Sequence, residues 1–536
     1  MKIIVDENYR WKSIVLRDYS IHYIGFSKDI LPSIEAIVQL GENLQIDLIN
    51  SILNNLNTPA AVIMESKNHI IAFTDHLCCY PIFYTLKGRG IISNSARNII
   101  KSANITEWDA LSVEEFPMTG YVTGKDTLFQ DLKQMQSGEC IMANLSNNEI
   151  DIFRYYRYIP SQEHGKSDED WINELDSVMN KITQRMVERA NGKPIYVPLS
   201  AGLDSRVIAC KLHESGYNNL KVFSYGPPKN WESRGAHIIA NKLDLPWFSA
   251  EISRKEAHQM FWSPSRLEYW SFSDGLSALP NFQEYFPISK LHNLNMLPED
   301  VILINGQAGD FISGGHIPKI LTKPDSDVST LLACIISKHY ALWKNLMTPD
   351  RLKRVEEKIL GLLGVSIDTH LTNEDLISLY ERWEFEERQS KWVIHGQRIY
   401  DFYGYDWQLP LWDIDLVHFF EKVPISLKID QRLYHLWLDR WNYKNLFRDF
   451  NPPVWNWSGP TLAVLPMAKV IEIVLGENAK HKWYELFYYW GDDKDHFAPY
   501  TYYEYLQTRS MIRNSTSLNI RVWARENGLP EEMMGI

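Results

Sequence analysis

Cysteine is scarce in this chain: Cys78, Cys79, Cys140, Cys210 and Cys334 are the only five in 536 residues. They show no metal-ligand spacing and no even framework, so neither a zinc site nor a disulfide scaffold is read from them, and a reducing cytoplasm is the expected location. Long apolar runs are also missing. No stretch approaches the roughly 18 apolar residues that span a bilayer, so no transmembrane segment is expected. The opening MKIIVDENYRW places Asp6 and Glu7 ahead of any apolar core and does not read as a secretory signal. Basic charge is in deficit, with 55 Lys and Arg against 67 Asp and Glu and a formal charge of −12. That balance argues against a nucleic-acid partner, whose phosphates call for a cationic surplus. Internal repeats and low-complexity tracts are absent. What is present is an ordinary soluble composition, 45% apolar and 23% charged, in a chain too long for one core. Two or more domains are expected above about 250–300 residues.

The first ~150 residues read as strands and hairpins. AAVIMESKNHIIAFTD holds two β-rich runs around Lys67-Asn68, and PIFYTLKGRGIISN two more around Gly88-Arg89-Gly90. The polar stretch PSQEHGKSDED (160–170) reads as a linker that caps a helix whose buried face is Trp171, Leu175, Val178, Ile182 and Met186. Strand then alternates with helix: IYVPL, SRVIACKLHES, LKVFSY, ESRGAHIIANKL, WFSAEI and, later, DVILIN. This alternation predicts a doubly wound parallel sheet with its ligands at the carboxyl ends of the strands. From about residue 330 the chain reads as mostly helical.

One such end is the turn YVPLSAGLDSRVIACKLHESG (196–216). Small residues between a strand and a helix leave backbone N–H groups aimed outward with the helix dipole behind them, which makes an anion site. Ser200, Ala201 and Gly202 let phosphate oxygens approach, the Ser200 and Ser205 hydroxyls can donate, and Asp204 calls for Mg²⁺ between itself and the anion. It is not a Walker loop, since the Lys-Ser/Thr ending is missing. An ordinary Ser-capped turn is the bland alternative. A second turn, NGQAGDFISGGH (305–316), again follows a β-rich run and carries Asp310. Two carboxylates beside two glycine-bearing turns form a Mg²⁺–polyphosphate candidate, against the plainer reading of Asp310 as a turn cap.

LSAGLDSR resembles the Ser-Gly-Gly-x-Asp-Ser pyrophosphate loop of the asparagine synthetases, and NGQAGDFISGG their second Gly-Asp loop. FTDHLCCYPIFYTL, ISNSARNII and MTGYVTGKDTLFQDLKQMQSGECIMA resemble segments of the glutaminase half. YDWQLPLWDIDLVHFFEKVP is similar to a segment of the synthetase half, so the likeness runs in order over residues ~60–440. The resemblance implies an α/β multidomain protein. Residues 1–158 form a degenerate glutaminase-like domain of antiparallel sheets, and 168–536 an ATP-pyrophosphatase domain with a parallel sheet and an aromatic-rich end at 450–536. It also implies an ATP-dependent ligase: a carboxylate attacks the α-phosphate of ATP, pyrophosphate leaves, and an amine displaces AMP to give an amide. ATP would lie on Leu199, Ser200, Ala201, Gly202, Leu203, Asp204 and Ser205 together with Tyr225, Asn305 and Gly306, with Mg²⁺ on Asp204 and Asp310. Tyr225 reads nearly as well as an aromatic packed at a strand end. The implied partners are a small-molecule or glycan carboxylate, with ammonia or a substrate amine; a homodimer is left open.

The pattern also breaks. The family's glutaminase half uses an N-terminal Cys, whereas this sequence opens Met1-Lys2 and its first Cys is Cys78. That half reads as a platform, as in the β-lactam synthetases and lasso-peptide cyclases. Ala201 replaces a Gly, Phe311 stands where many members carry Glu, and Gln408 where the family has Arg. The family's adenylation Lys aligns best with Tyr434, leaving Arg432 or Lys428 to substitute from a neighbouring turn. Asparagine synthesis, amidation of a sugar acid in polysaccharide assembly and intramolecular cyclisation all remain open within the enzyme class. A catalytically inactive scaffold that binds a glycan or a partner is the alternative outside it. TLAVLPMAKVIEIVLG, KWYELFYYW and YTYYEYL read first as packing, and otherwise as a surface for sugars, a lipid-linked glycan or a partner.

Because the nucleophile needs a thiol beside the chain's α-amine, glutamine is expected neither to be hydrolysed nor to support amide formation, whereas ammonium or a substrate amine should. Steady glutamate release from glutamine that survives Cys78→Ala and Cys79→Ala would refute this.

Overall fold

The computed structural model describes residues 1–41, 43–448, 450, 461–491 and 495–536; of the aromatic-rich end, 451–460 and 492–494 lie outside the described residues. In chain order the strands are β1 (Lys2–Ile4), β2 (Lys12–Leu16), β3 (Tyr19–Gly25), β4 (Ala60–Glu65), β5 (His69–Thr74), β6 (Phe83–Thr85), β7 (Ile91–Ser93), β8 (Lys133–Gln134), β9 (Glu139–Asn144) and β10 (Glu149–Arg154). They continue as β11 (Ile195–Pro198), β12 (Leu220–Gly226), β13 (Trp247–Glu251), β14 (Ile302–Ile304) and β15 (Asp406–Gln408).

The N-terminal strands form a six-stranded sheet, β10-β9-β5-β4-β3-β2, and a four-stranded one, β1-β7-β6-β8. The six-stranded sheet is antiparallel throughout. The smaller sheet departs from the antiparallel expectation at one place, where β1 pairs parallel to β7. Strand alternation explains how the larger sheet buries both faces. Along β4, Ala61 and Ile63 enter one core while Ala60, Val62 and Met64 enter another. Helices Ser27–Leu40 and Ile46–Leu53 cover the second face through Ile30, Ile34, Ile37, Ile49 and Leu53. The first face joins Phe83, Tyr84 and Ile92 of the smaller sheet in a core that runs on into the C-terminal region.

Ser167 and Asp170 form the capping box that starts helix Asp168–Ala190, so the polar stretch ends in a cap as its composition suggests. Met179 is buried in this helix and Val178 only partly, a small shift of the predicted face. The C-terminal sheet has the order β13-β12-β11-β14-β15, every pair parallel. The chain winds outward from β11 to β13, then returns to β14 on the other side of β11, so a crevice opens beyond the carboxyl ends of β11 and β14. Strand β15 is absent from the sequence reading, because three residues ahead of Pro410 carry no periodicity and gain their geometry from the β14 edge. Near the C-terminus, Tyr489, Phe497, Tyr500 and Tyr505 are buried in helices and turns, whereas Val470, Ile473, Val474 and Leu475 of helix Thr461–Leu475 are exposed.

The N-terminal sheets and the C-terminal helices meet at buried Glu115. Its carboxylate accepts from Thr123 Oγ1 (2.7 Å), Tyr340 Oη (2.8 Å) and Lys358 Nζ (2.7 Å). Burial opposes ionisation, but Lys358 and these donors prevail and hold the carboxyl below its ordinary range. Glu115→Ala strands Lys358 and should cost about 3 kcal/mol in denaturant unfolding at pH 7. Since the folded group ionises more readily than the unfolded one, the wild-type advantage should fade as pH falls below ~4; an undiminished midpoint in the variant would show that Glu115 does not tie the seam.

Candidate functional site

A cleft of about 780 Å³ opens at the carboxyl ends of β11, β12 and β14. Leu199, Ser200, Gly202, Leu203, Asp204, Ser205, Tyr225, Asn305 and Gly306 line it, so nine of the expected residues share one wall system. Helix Leu203–Glu214 begins at Gly202 with no side-chain cap, leaving its first N–H groups directed to the cleft. Ser205 Oγ accepts the Ser200 amide at 3.0 Å, and Ser200 Oγ accepts the Gly202 amide at 3.1 Å, which fixes the turn. Ala201 does not line the cleft; it is buried, and its carbonyl accepts from Arg206.

The second turn presses directly on the first. A Cβ at Gly306 would lie 2.9 Å from the Asp204 Cβ and from the Ser205 amide nitrogen, and one at Gly309 would lie 2.7 Å from Asp204 Cγ. Only glycine permits this approach. Tyr434 Oη donates to Asp204 Oδ1 at 3.2 Å, so the residue aligned with the family's Lys reaches the carboxylate as a neutral donor. Burial, then the adjacent Asp204, push its hydroxyl well above the ordinary range. Asp204 itself is pushed up to about 7 by burial and by the charge of Asp310, against the hydrogen bond from Tyr434. Asp310 leaves most of its side chain open to solvent, and His316 Nε2 lies 3.0 Å from its Oδ2. Burial works against its ionisation, yet the His316 hydrogen bond and charge keep Asp310 below the ordinary range. His316 Nδ1 in turn sits 2.5 Å from the buried Glu384, which also accepts from Lys338 at 3.0 Å.

Neither substitute for the missing Lys joins this group. Arg432 pairs with Asp168 at 2.8 Å on the surface, and Lys428 is buried against Glu381 at 2.5 Å. The cation nearest the first turn is Arg206, buried and facing carbonyls: it donates to Ala201 and, at 2.7 Å, to Leu446, with its guanidinium 4.7 Å from the Phe450 ring centroid. Burial lowers it to about 10, so it remains positive behind the turn at neutral pH. Sequence reading passed over it although it ends the quoted motif.

The remaining wall was not legible. Ser224, Glu232, Gln283, Glu284 and Gln307 complete the lining with Pro198. Glu284 accepts from Tyr400 Oη, while Asn305 Nδ2 donates to Gln397 Oε1 at 2.9 Å and Gln397 Nε2 to Gln307 Oε1 at 2.5 Å. Burial pushes Glu284 up to about 7. Gln307 lies inside the second quoted motif, but Glu284 stands in NFQEYFP, which matches no pattern, and only folding carries it to the cleft.

The raised Asp204 implies a site formed at the expense of stability. The native carboxyl resists ionising more than the unfolded one, so its penalty is absent below about pH 4 and grows as pH rises towards 7. Asp204→Asn should therefore stabilise the nucleotide-free protein by on the order of 1–2 kcal/mol above pH 7, with little gain at pH 4. Thermal melts across that range would refute this if the variant were no more stable at pH 8.

No curated protein sequence matches the chain. Among solved structures it shows slight likeness to the allosteric regulatory enzyme of purine biosynthesis, with 11% identity and a TM-score of 0.17 over 56% of this chain and 57% of that one. It shows similarly slight likeness to the glutamine phosphoribosylpyrophosphate amidotransferase from B. subtilis complexed with ADP and GMP, with 11% identity and a TM-score of 0.18 over 55% and 63%. The chain thus spans less than two thirds of either. The family model for asparagine synthase matches residues 182–459, just over half of the sequence and the stretch that contains both turns, Tyr225 and Tyr434. By that match the chain belongs to the asparagine synthase family.

Proposed function

We propose that this protein is an ATP-dependent carbon–nitrogen ligase that adenylates a carboxylate and passes the acyl group to an amine. The observation that carries the reading is the close apposition of the Asp204 and Asp310 turns at the mouth of an uncapped helix N-terminus. In the first step a substrate carboxylate oxygen bonds to the α-phosphorus as the bond to pyrophosphate breaks. In the second the amine nitrogen bonds to the acyl carbon, AMP leaves, and the nitrogen gives up a proton. The uncapped N–H groups at the start of helix Leu203–Glu214 and the Ser200 and Ser205 hydroxyls suit the departing pyrophosphate, with the Arg206 charge behind them.

Among the described residues no group of three His, Cys, Asp or Glu could hold a metal by itself. Two carboxylates side by side, one of them resisting ionisation, suit a Mg²⁺ that takes its other ligands from phosphate and water. Such an ion would neutralise charge developing on the phosphates. Tyr434 then serves as a neutral donor to Asp204 where the family places a cation. We assign residues 1–158 to a scaffold without glutaminase chemistry and 168–536 to the ligase. In support, burial and then the Asp75 charge push the Cys78 and Cys79 thiols far above the thiolate range, so neither suits a nucleophile. Amidation of a sugar acid and intramolecular cyclisation are the two finer readings. Among the described residues, no helix is long and apolar enough to cross a membrane.

Asp204→Ala and Asp310→Ala should each abolish carboxylate-dependent exchange of labelled pyrophosphate into ATP, a loss of at least ~100-fold for groups that bind the reacting phosphates. Full exchange in both variants would overturn the site. Failure of the wild type to bind Mg-ATP in a calorimetric titration would favour the scaffold reading instead.

A further inference from the structure

Near the C-terminus one helix is apolar on the wrong side. Helix Thr461–Leu475 packs against helix Glu477–Gly491, with Trp483 Nε1 donating to the Val464 carbonyl at 3.2 Å and Lys480 Nζ lying 2.8 Å from Glu472. Val464 and Ala468 of the first helix are buried. At about 100° per residue, Met467, Val470, Ile473 and Val474 fall together on the opposite side. They are exposed by 52, 60, 78 and 70%, and Leu475 at the turn by 69%. A helix on a water-facing surface turns such a stripe inward; here it is the outer face.

Charge and side-chain type indicate what covers this face. Glu472 is answered by Lys480, which leaves Lys469, at the border of the stripe, as a charge with no partner among the described residues. The chain as a whole carries −12, so attraction to an anionic surface requires a local patch of this kind. The stripe is aliphatic and holds none of the Trp, Tyr and Arg anchors that dominate protein interfaces. Exposed Tyr488 and Trp490 stand instead at the far end of the second helix, amphipathic rings of the kind that settle among lipid headgroups. At 15 residues the first helix is ~22 Å long, too short to cross a hydrocarbon core of ~30 Å but long enough to lie along its boundary. The base of the pair is fastened to the parallel-sheet region by Arg254, whose guanidinium lies 3.9 Å from the Tyr489 ring centroid and donates to the Tyr489 carbonyl at 3.1 Å.

We infer that helix Thr461–Leu475 docks the protein on an anionic lipid surface. The helix lies in the plane of the bilayer, with Met467, Val470, Ile473 and Val474 at the acyl boundary and Lys469 reaching the phosphates. A few aliphatic side chains and one free Lys give attachment that is reversible and weakened by salt. This surface is independent of the chemistry assigned to the cleft.

The test is cosedimentation of the full chain with vesicles of phosphatidylcholine alone or with about a third phosphatidylglycerol. The wild type should bind the mixed vesicles several-fold more tightly than the neutral ones. Lys469→Gln should lose ~5-fold on the mixed vesicles. The double variant Val470→Asp, Ile473→Asp should lose ~30-fold or more on both, with an unchanged thermal melt because both positions are exposed. Val474→Asp alone, on the same stripe, should lose ~10-fold, so the reading does not rest on the folding of one variant. No sedimentation with mixed vesicles at millimolar lipid, equal affinity for the two vesicles, or binding that survives all the Asp substitutions would each overturn the inference. A concentration-dependent dimer in light scattering that the double variant abolishes, with vesicles left unbound, would overturn it by assigning the face to a second copy of the chain.

Discussion

The functional region depends on one steric constraint, the contact of the 305–310 turn with Asp204. Gly306 and Gly309 have room for no Cβ because the Asp204 side chain and the Ser205 backbone occupy that space. Parallel pairing of β14 beside β11 brings the turns to the same edge, and the two glycines let them close. From that contact follow the proximity of Asp310, the raised carboxyl of Asp204 and the reach of Tyr434. A side chain at either glycine forces the turns apart and dissolves the arrangement, whatever happens to the sheet beneath.

The same constraint makes the site costly in the free protein. Two acidic turns pressed together under partial burial leave Asp204 reluctant to ionise; His316 lies against Asp310, while Arg206 binds carbonyls behind the turn. Under the proposed ligase reading, a metal–nucleotide ligand would relieve this imbalance. Glu284 stands elsewhere on the lining, where the neutral Tyr400 and Asn305 face it and burial pushes its carboxyl up to about 7.

Around this region the chain behaves as one packed body. The core that begins between the two N-terminal sheets continues through the parallel sheet to Trp523 near the C-terminus. Polar ties cross the same seam: Glu115 with Lys358, Lys391 Nζ to the Gly124 carbonyl, and Arg189 Nε to Asp29 at 2.7 Å. The N-terminal sheets thus support the helices that carry Glu384, Gln397 and Tyr400, and so bear on the cleft indirectly. Cys78 and Cys79 of this region are buried close to the Asp75 carboxylate.

The order of strands and helices, the two glycine-bearing turns and the acidic residue in each were legible in the sequence, because each is a local pattern: β-rich runs, a Gly or small residue where backbone must come close, a carboxylate at a strand end. Ser200, Gly202, Asp204 and Ser205 follow from those patterns directly, whereas Leu199, Leu203, Tyr225, Asn305 and Gly306 were expected only from the resemblance to the asparagine synthetases. Tertiary structure alone decided the rest. It paired β1 parallel to β7, made a strand of Asp406–Gln408, held Arg432 to Asp168 and Lys428 to Glu381, and carried Glu284 and Tyr400 to the back wall. The physical reason is that pairing partners, burial and electrostatic company are properties of residues far apart in the chain. A charge read from the sequence says what a side chain can do, and the fold around it determines which charge is answered within the protein and which is left for a ligand.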